Sequence, residues 1–395
     1  MLAGVFLVLA PMAVYARLGT VILLILTLAA QPRFADIAAA LRDAGRTLFV
    51  RLSLVLFAWA ALSLLWAPAP DVVLLLRVAA MPLMGLLLIA LVSALPAADA
   101  ERLAGIVLIG GVVMLMLLGV EVAGGGALLA IGQPDLGPLP PGQTHPVVEM
   151  SARGTAILAP LTFVYALLAY ARTGRALAAF GFVAAAFAIC LASSMDAAWC
   201  AILAGAVVFG FARMAPRATL IAVFGALIAY AVLAPVISAS LLTHEAVLNM
   251  AVQPWAGVES RVGIWQKAAT LIAERPILGH GFDAARRLAD PTVLIPGTPW
   301  PALALHPHNA LLQIWLELGA VGIGITIALL AAGARALWPM TARPLHLAVT
   351  LATIAGTAFM ALVSFGIWQH WWLATWMLVA AALCLGLRAS APPRT

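Results

Sequence analysis

Apolar stretches of about 20 residues recur along this chain from one end to the other, and nothing else in it constrains the fold as strongly. A stretch of that length crosses the hydrocarbon core of a bilayer as a helix, which satisfies its own backbone where no water is present. Twelve such spans are predicted, at roughly 2–16, 18–31, 48–66, 72–95, 103–121, 154–171, 176–194, 197–212, 218–241, 309–332, 346–366 and 371–388. Most show no polar face at the 3.6-residue period expected of a soluble helix. Charged residues make up 9% of the 395 positions, against about 25% in soluble domains. The expected fold is therefore an all-α polytopic membrane protein with about twelve transmembrane helices. Nine spans are expected in residues 1–241 and three in 309–395, the latter followed by a short tail. Between them, 242–308 forms one large loop region containing short helices.

The distribution of arginine orients these spans. One set of short loops holds Arg33, Arg42, Arg46, Arg102, Arg172, Arg175, Arg213, Arg217, Arg335, Arg343, Arg388 and Arg394, while the opposite short loops hold little beyond Arg17 and Arg153. Basic short loops stay on the cytoplasmic side. Both termini are thus predicted to be cytoplasmic, and segments 122–153 and 242–308 to face outward, into the periplasm of a Gram-negative cell. The N-terminus lacks a charged leader and a cleavage site, so the first span is read as retained. The basic residues form no contiguous face with interleaved aromatics, which argues against nucleic acid. Cys190, Cys200 and Cys384 lie within apolar spans and read as small buried hydrophobes.

The polar residues concentrate around 260–322. A helix is predicted near 261–274, where Val262, Trp265, Ala269 and Ile272 form one apolar stripe with Arg261, Lys267 and Glu274 off it. Such a helix lies on the membrane or packs across the bundle mouth. Pro276 and the Gly279-His280-Gly281 turn end it, and 282–305 reads as irregular.

His306-Pro307-His308-Asn309 follows, immediately before a long span. Asn309 is a favoured N-cap. Both histidines then sit near the positive end of a helix, a field expected to keep them neutral and able to take a proton. No cysteine or carboxylate cluster completes a metal site around His306, His308, His280, His145 and His370. Neither a nucleophile elbow nor a glycosidase-type carboxylate pair is evident. Arginine binds phosphate oxygens through a rigid fork, and Arg153 and Arg261 can both reach the outer interface. Arg286, Arg287 and Arg77 are further candidates there, with snorkelling to headgroups as the plainer reading.

In order along the chain, Arg261, Trp265, Pro276, Gly279, Gly281, His306, His308, Asn309, Glu317, Gly319 and Gly322 resemble the shared signature of O-antigen ligases and O-antigen polymerases. The resemblance covers about sixty residues, and the span layout agrees with it. It implies a glycosyltransferase using an undecaprenyl-pyrophosphate-linked glycan at the periplasmic face of the inner membrane, among membrane lipids and without a metal or other cofactor. In the ligase branch, which is preferred, the acceptor is a sugar hydroxyl of lipid A–core. His308 or His306 would serve as base, with Arg261 and Arg153 on the pyrophosphate; Asn309, Gly279, Gly281, Trp265 and Glu317 would be structural. Polymerase, protein O-oligosaccharyltransferase and lipid-linked glycan transporter are the alternatives. A transporter would more often show inverted repeats and midplane polar groups, which this chain lacks.

Overall fold

The structure is a computed structural model that describes residues 21, 42, 45–126, 146–193, 195–248, 256–303 and 305–390. The predicted spans at 2–16 and 18–31, with Arg17, Arg33, Arg394, His145 and the middle of the 122–153 loop, lie outside these residues. Each of the ten remaining predicted spans coincides with an apolar helix. Eight helices among the described residues are long and apolar enough to cross a membrane, and two more are shorter. The protein is an all-α polytopic membrane protein.

The first described helix, α1 (Leu48–Ser63), starts where the Thr47 hydroxyl accepts a hydrogen bond from Val50 N–H, and α2 (Val72–Ala94) where the Asp71 carboxylate accepts from Leu74 N–H. At 16 residues, α1 is about 24 Å long, short of a full crossing. Helix α3 (Ala97–Ala123) begins before the predicted 103, because its charged first turn is helical; Asp99 there sits at the positive end of the helix. Next come α4 (Pro146–Thr173), α5 (Ala176–Ala192), α6 (Asp196–Met214) and α7 (Pro216–Val236), which runs into a π turn at Ile237–Leu241. The short α8 (His244–Leu248) leads to α9 (Ala256–Glu274), and a second short helix, α10 (Ala285–Leu288), lies in the stretch expected to be irregular. The last three long helices are α11 (Ala310–Leu337), α12 (Pro344–Val363) and α13 (His370–Ala389).

Helix α4 is the axis of the bundle. It is apolar on every side and is the most enclosed span, with α3, α5, α6, α12 and α13 around it. Glycines let aromatic rings of α4 seat directly against the neighbouring backbones: a Cβ on Gly111 of α3 would lie 2.6 Å from the Tyr165 ring, and one on Gly205 of α6 2.3 Å from the Phe163 ring. Helix α9 packs onto α7, the π turn and α11 rather than lying on lipid. Its predicted stripe of Val262, Trp265, Ala269 and Ile272 is buried there. The C-terminal end of α12 and the N-terminal ends of α4, α11 and α13 converge beside α9 at one end of the bundle.

Candidate active site

A break in α11 creates the floor of the site. Gly319 adopts φ 65° and ψ −164° inside an otherwise regular helix. The break removes two intrahelical hydrogen bonds, from Ala320 N–H to Leu316 O and from Val321 N–H to Glu317 O. Unpaired backbone groups cost several kcal/mol each in a bilayer, so the segment after α9 is spliced in to replace both bonds. His280 N–H donates to Leu316 O at 2.9 Å and Gly281 N–H to Glu317 O at 2.8 Å. In return Ala320 N–H reaches Pro276 O at 2.9 Å and Val321 N–H reaches Ile277 O at 3.3 Å. The two backbones approach so closely that a Cβ on Gly279 (φ 72°) would lie 2.5 Å from Glu317 O, and one on Gly319 2.2 Å from Ile277 O. Pro276, Gly279, Gly281 and Gly319 are therefore two halves of one joint. Trp59 and Trp66 seal it by donating indole N–H bonds to Leu318 O and Gly279 O, at 3.0 and 3.2 Å.

Glu317 ties this joint to the two segments that surround the histidines. Its carboxylate is fully buried and accepts from Asp283 N–H (3.0 Å), Ala285 N–H (3.4 Å), Gln313 Nε2 (3.0 Å) and the Trp368 indole N–H. The first two bonds hold the start of α10, from which Arg286 donates to Asp283 Oδ2 at 3.1 Å. Burial pushes the Asp283 carboxyl up, and Arg286 pulls it back. Gln313 also accepts from Ile367 N–H at 3.0 Å, which fixes the α12–α13 connection.

Asn309 caps α11 through its side-chain oxygen, which accepts from Leu311 and Leu312 N–H at 3.1 Å each, while its amide nitrogen donates to the Tyr230 hydroxyl at 2.6 Å. The Trp265 indole N–H holds Pro307 O at 2.9 Å. Between these anchors His308 takes φ 54°; it and Asp283 (φ 58°) are the non-glycine residues with positive φ among those described. A left-handed non-glycine residue is uncommon and persists where its surroundings impose it.

The two histidine rings lie 4.2 Å apart but face opposite demands. His308 Nδ1 contacts Ser364 O, the carbonyl just past α12. A carbonyl only accepts, so Nδ1 carries the proton and Nε2 holds the lone pair; among the described residues nothing hydrogen-bonds Nε2. Both ring nitrogens of His306 face donors instead: His308 N–H at 3.2 Å from Nδ1, and Gln369 Nε2 at 3.0 Å from Nε2. Burial, then the neighbouring His308 and Arg286, drive the His306 pKa down to about 3. Burial and Arg261 also lower that of His308, against the upward pull of its Ser364 bond. Burial thus acts in the same direction as the expected helix-end field, against the charged imidazolium.

Arg261 grips the preceding carbonyl. Its Nε donates to Val363 O and its Nη1 to Gly257 O at 2.6 Å, and a Cβ on Gly257 would sit 2.7 Å from that nitrogen. Arg261 and His308 thus hold adjacent carbonyls at the end of α12, although 47 residues of sequence separate them. Arg153, near the start of α4, lies with its guanidinium 5.9 Å from the centre of the Trp371 ring. The Trp371 indole in turn donates to Gln369 Oε1 at 3.1 Å, which links Arg153 to the His306 side of the site. Arg286 lies in electrostatic reach of His306, Arg287 of Asp283, and Arg77 of His370 at the rim. His280 turns its ring inward, with Nε2 2.8 Å from Leu271 O. Among the described residues no three His, Cys, Asp or Glu side chains converge as a metal-ligand set. Sequence reasoning missed Gln369, Trp371, Gln313 and Trp368. The Gln-His-Trp-Trp run opening α13 was a visible signal, but its partners lie on other helices.

Residues 180–327 match the sequence model of the O-antigen ligase family. That region contains Arg261, His306, His308 and the whole spliced joint. A protein of Rickettsia conorii named "Putative polysaccharide ligase" is 33% identical over 139 residues, covering 34% of this chain and 33% of its own. Proteins with that name from Rickettsia typhi (26% identity; 61% and 60% covered) and Rickettsia felis (27%; 59% and 58%) match longer stretches. The chain thus spans between one third and three fifths of the length of the curated relatives it matches. The joint, the paired histidines and the anchored arginine all lie inside the region over which the chain is similar to the O-antigen ligase family.

Proposed function

We propose that this protein is a glycosyltransferase of the ligase type, moving a glycan from undecaprenyl pyrophosphate to a sugar hydroxyl of lipid A–core. The arginine bias of the loops supports an inner-membrane protein with cytoplasmic termini and a periplasmic site. The observation that carries the reading is the pairing of His308 with Arg261 on consecutive carbonyls at the C-terminal end of α12.

In this reading the acceptor hydroxyl gives its proton to His308 Nε2 as its oxygen attacks the anomeric carbon. The bond from that carbon to the pyrophosphate oxygen breaks, and the charge developing on the leaving group faces Arg261 and Arg153. One displacement inverts the anomeric centre. His308 can carry the proton, because its Nδ1–H bond to Ser364 O survives in the imidazolium and Nε2–H then points where the substrate was. The same proton on His306 would meet two donors and no acceptor, so the geometry favours His308 as base.

The decisive experiment mixes purified protein, lipid-linked glycan, lipid A–core and EDTA without nucleotide. Glycan moving onto lipid A–core supports the ligase reading. Growth of the glycan on its own carrier would instead indicate a polymerase, transfer to a protein would indicate an oligosaccharyltransferase, and translocation without a new bond would indicate a transporter.

Arg261→Lys is expected to lower kcat/KM about 10- to 100-fold. Lysine keeps the charge, but its three N–H groups sit on one nitrogen, so gripping Val363 O and Gly257 O would leave one for phosphate where arginine keeps three in a rigid fork; one lost charge-assisted bond is worth about 1.5–3 kcal/mol. Wild-type kinetics in that variant would remove Arg261 from the leaving-group role.

A further inference from the structure

The hydrogen bonds around His306 contain one donor too many. The Trp371 indole is a donor only, so the atom it meets on residue 369 is the amide oxygen, and the NH2 of Gln369 must turn toward His306. His308 N–H approaches the other ring nitrogen. Neutral imidazole has one lone pair for these two donors, and imidazolium has none. Gly366 lets the ring into this corner: a Cβ there would sit 2.8 Å from His306 Cδ2.

The charged and titratable groups facing His306 are His308 from its own segment and Arg286 from α10, the latter paired with Asp283. Arg261 of α9 stands behind His308, and Arg153 of α4 behind Trp371. Among the described residues no carboxylate hydrogen-bonds either ring. The corner is built against a cation.

We propose that Gln369 is a positioning residue for the transfer reaction: its amide nitrogen, aimed by the Trp371 indole, denies His306 a second proton, and the neutral His306 ring braces His308 as the only proton acceptor of the pair. The role in transfer rests on the glycosyltransferase reading; the protonation of His306 does not.

The test is Gln369→Glu, which replaces the NH2 donor with an accepting oxygen of nearly the same shape. It is read by 15N-histidine NMR of the full chain in nanodiscs and by pH profiles of glycan transfer. In the wild type His306 should stay neutral from about pH 5 to about pH 8. In Gln369→Glu an imidazolium signal should appear at about pH 6 and vanish in Gln369→Glu/His306→Asn. At that pH kcat/KM should fall at least about ten-fold, recovering as pH rises, with KM for the lipid-linked donor unchanged. A merely structural residue would lower activity without a new pH limb. A wild-type His306 imidazolium at about pH 6, or a Gln369→Glu protein with neutral His306 and wild-type kcat/KM throughout, would overturn the proposal. If the wild type transfers no glycan to any acceptor, the functional reading fails, while the histidine signals still decide whether Gln369 controls His306.

Discussion

His308→Ala is expected to reduce glycan transfer by about 10²- to 10⁴-fold, the span that a well-placed general base contributes. The fold should survive, because His308 is partly exposed and its one side-chain bond goes to a carbonyl at a helix end. Asn309, Trp265 and the joint at Gly319 are what hold this region. His306→Ala should also impair transfer, by loosening the brace on His308, but should leave the pH limb of His308 in place. The discriminating measurement is kcat/KM against pH, which reports the free enzyme. A base works only when unprotonated. Burial and Arg261 depress the His308 pKa, so activity should persist as pH falls through the usual imidazole range near 6.5 and disappear only below it. A His308→Ala protein with wild-type turnover, or a wild type whose activity already falls away above that range, would contradict the assignment.

The largest effect on stability is expected at Glu317. Four N–H groups converge on its carboxylate from α10, α11 and the α12–α13 connection. Glu317→Ala leaves all four without that acceptor in a buried site, at about 1–3 kcal/mol each. Glu317→Gln is the sharper test. Its one oxygen can serve the pair at either carboxylate position, and its NH2 then faces the other two donors. A loss of about 2–6 kcal/mol follows, with the melting temperature ordered wild type, Gln, then Ala. Transfer should fall with it, because Glu317 also fixes Trp368 and, through Gln313, Ile367, on the segment carrying Gly366 and Gln369. An unchanged melting temperature in Glu317→Gln would mean that the four bonds are not the anchor described here.

Much of this was legible in the chain, and for identifiable reasons. Helices in lipid must bond internally, so their existence follows from apolar length alone; that is why the ten predicted spans within the described residues meet ten apolar helices despite shifted ends at α1 and α3. The stripe on α9 and the cap at Asn309 are local features, set by helical period and by one side chain reaching its own backbone. The ordered glycines of 279, 281 and 319 marked something unusual, but not what. Sequence could not show that Gly279 and Gly319 touch, since 40 positions separate them and only the bundle brings them together.

The site residues divide the same way. His306 and His308 stood out because two histidines beside a helix cap are rare in so apolar a chain. Their difference in role was invisible, because it depends on what each ring nitrogen meets: a carbonyl of residue 364 in one case, the amide of residue 369 in the other. Sequence alone thus determined the membrane class, the helices and the stretch in which the polar chemistry is concentrated. The tertiary structure decided which backbone replaces the broken bonds of α11, which carbonyls orient Arg261 and His308, and where Gln369 and Glu317 enter. Apolar length and local capping act within one helix, whereas hydrogen-bond partners in a dry interior come from whichever helices the packing places alongside.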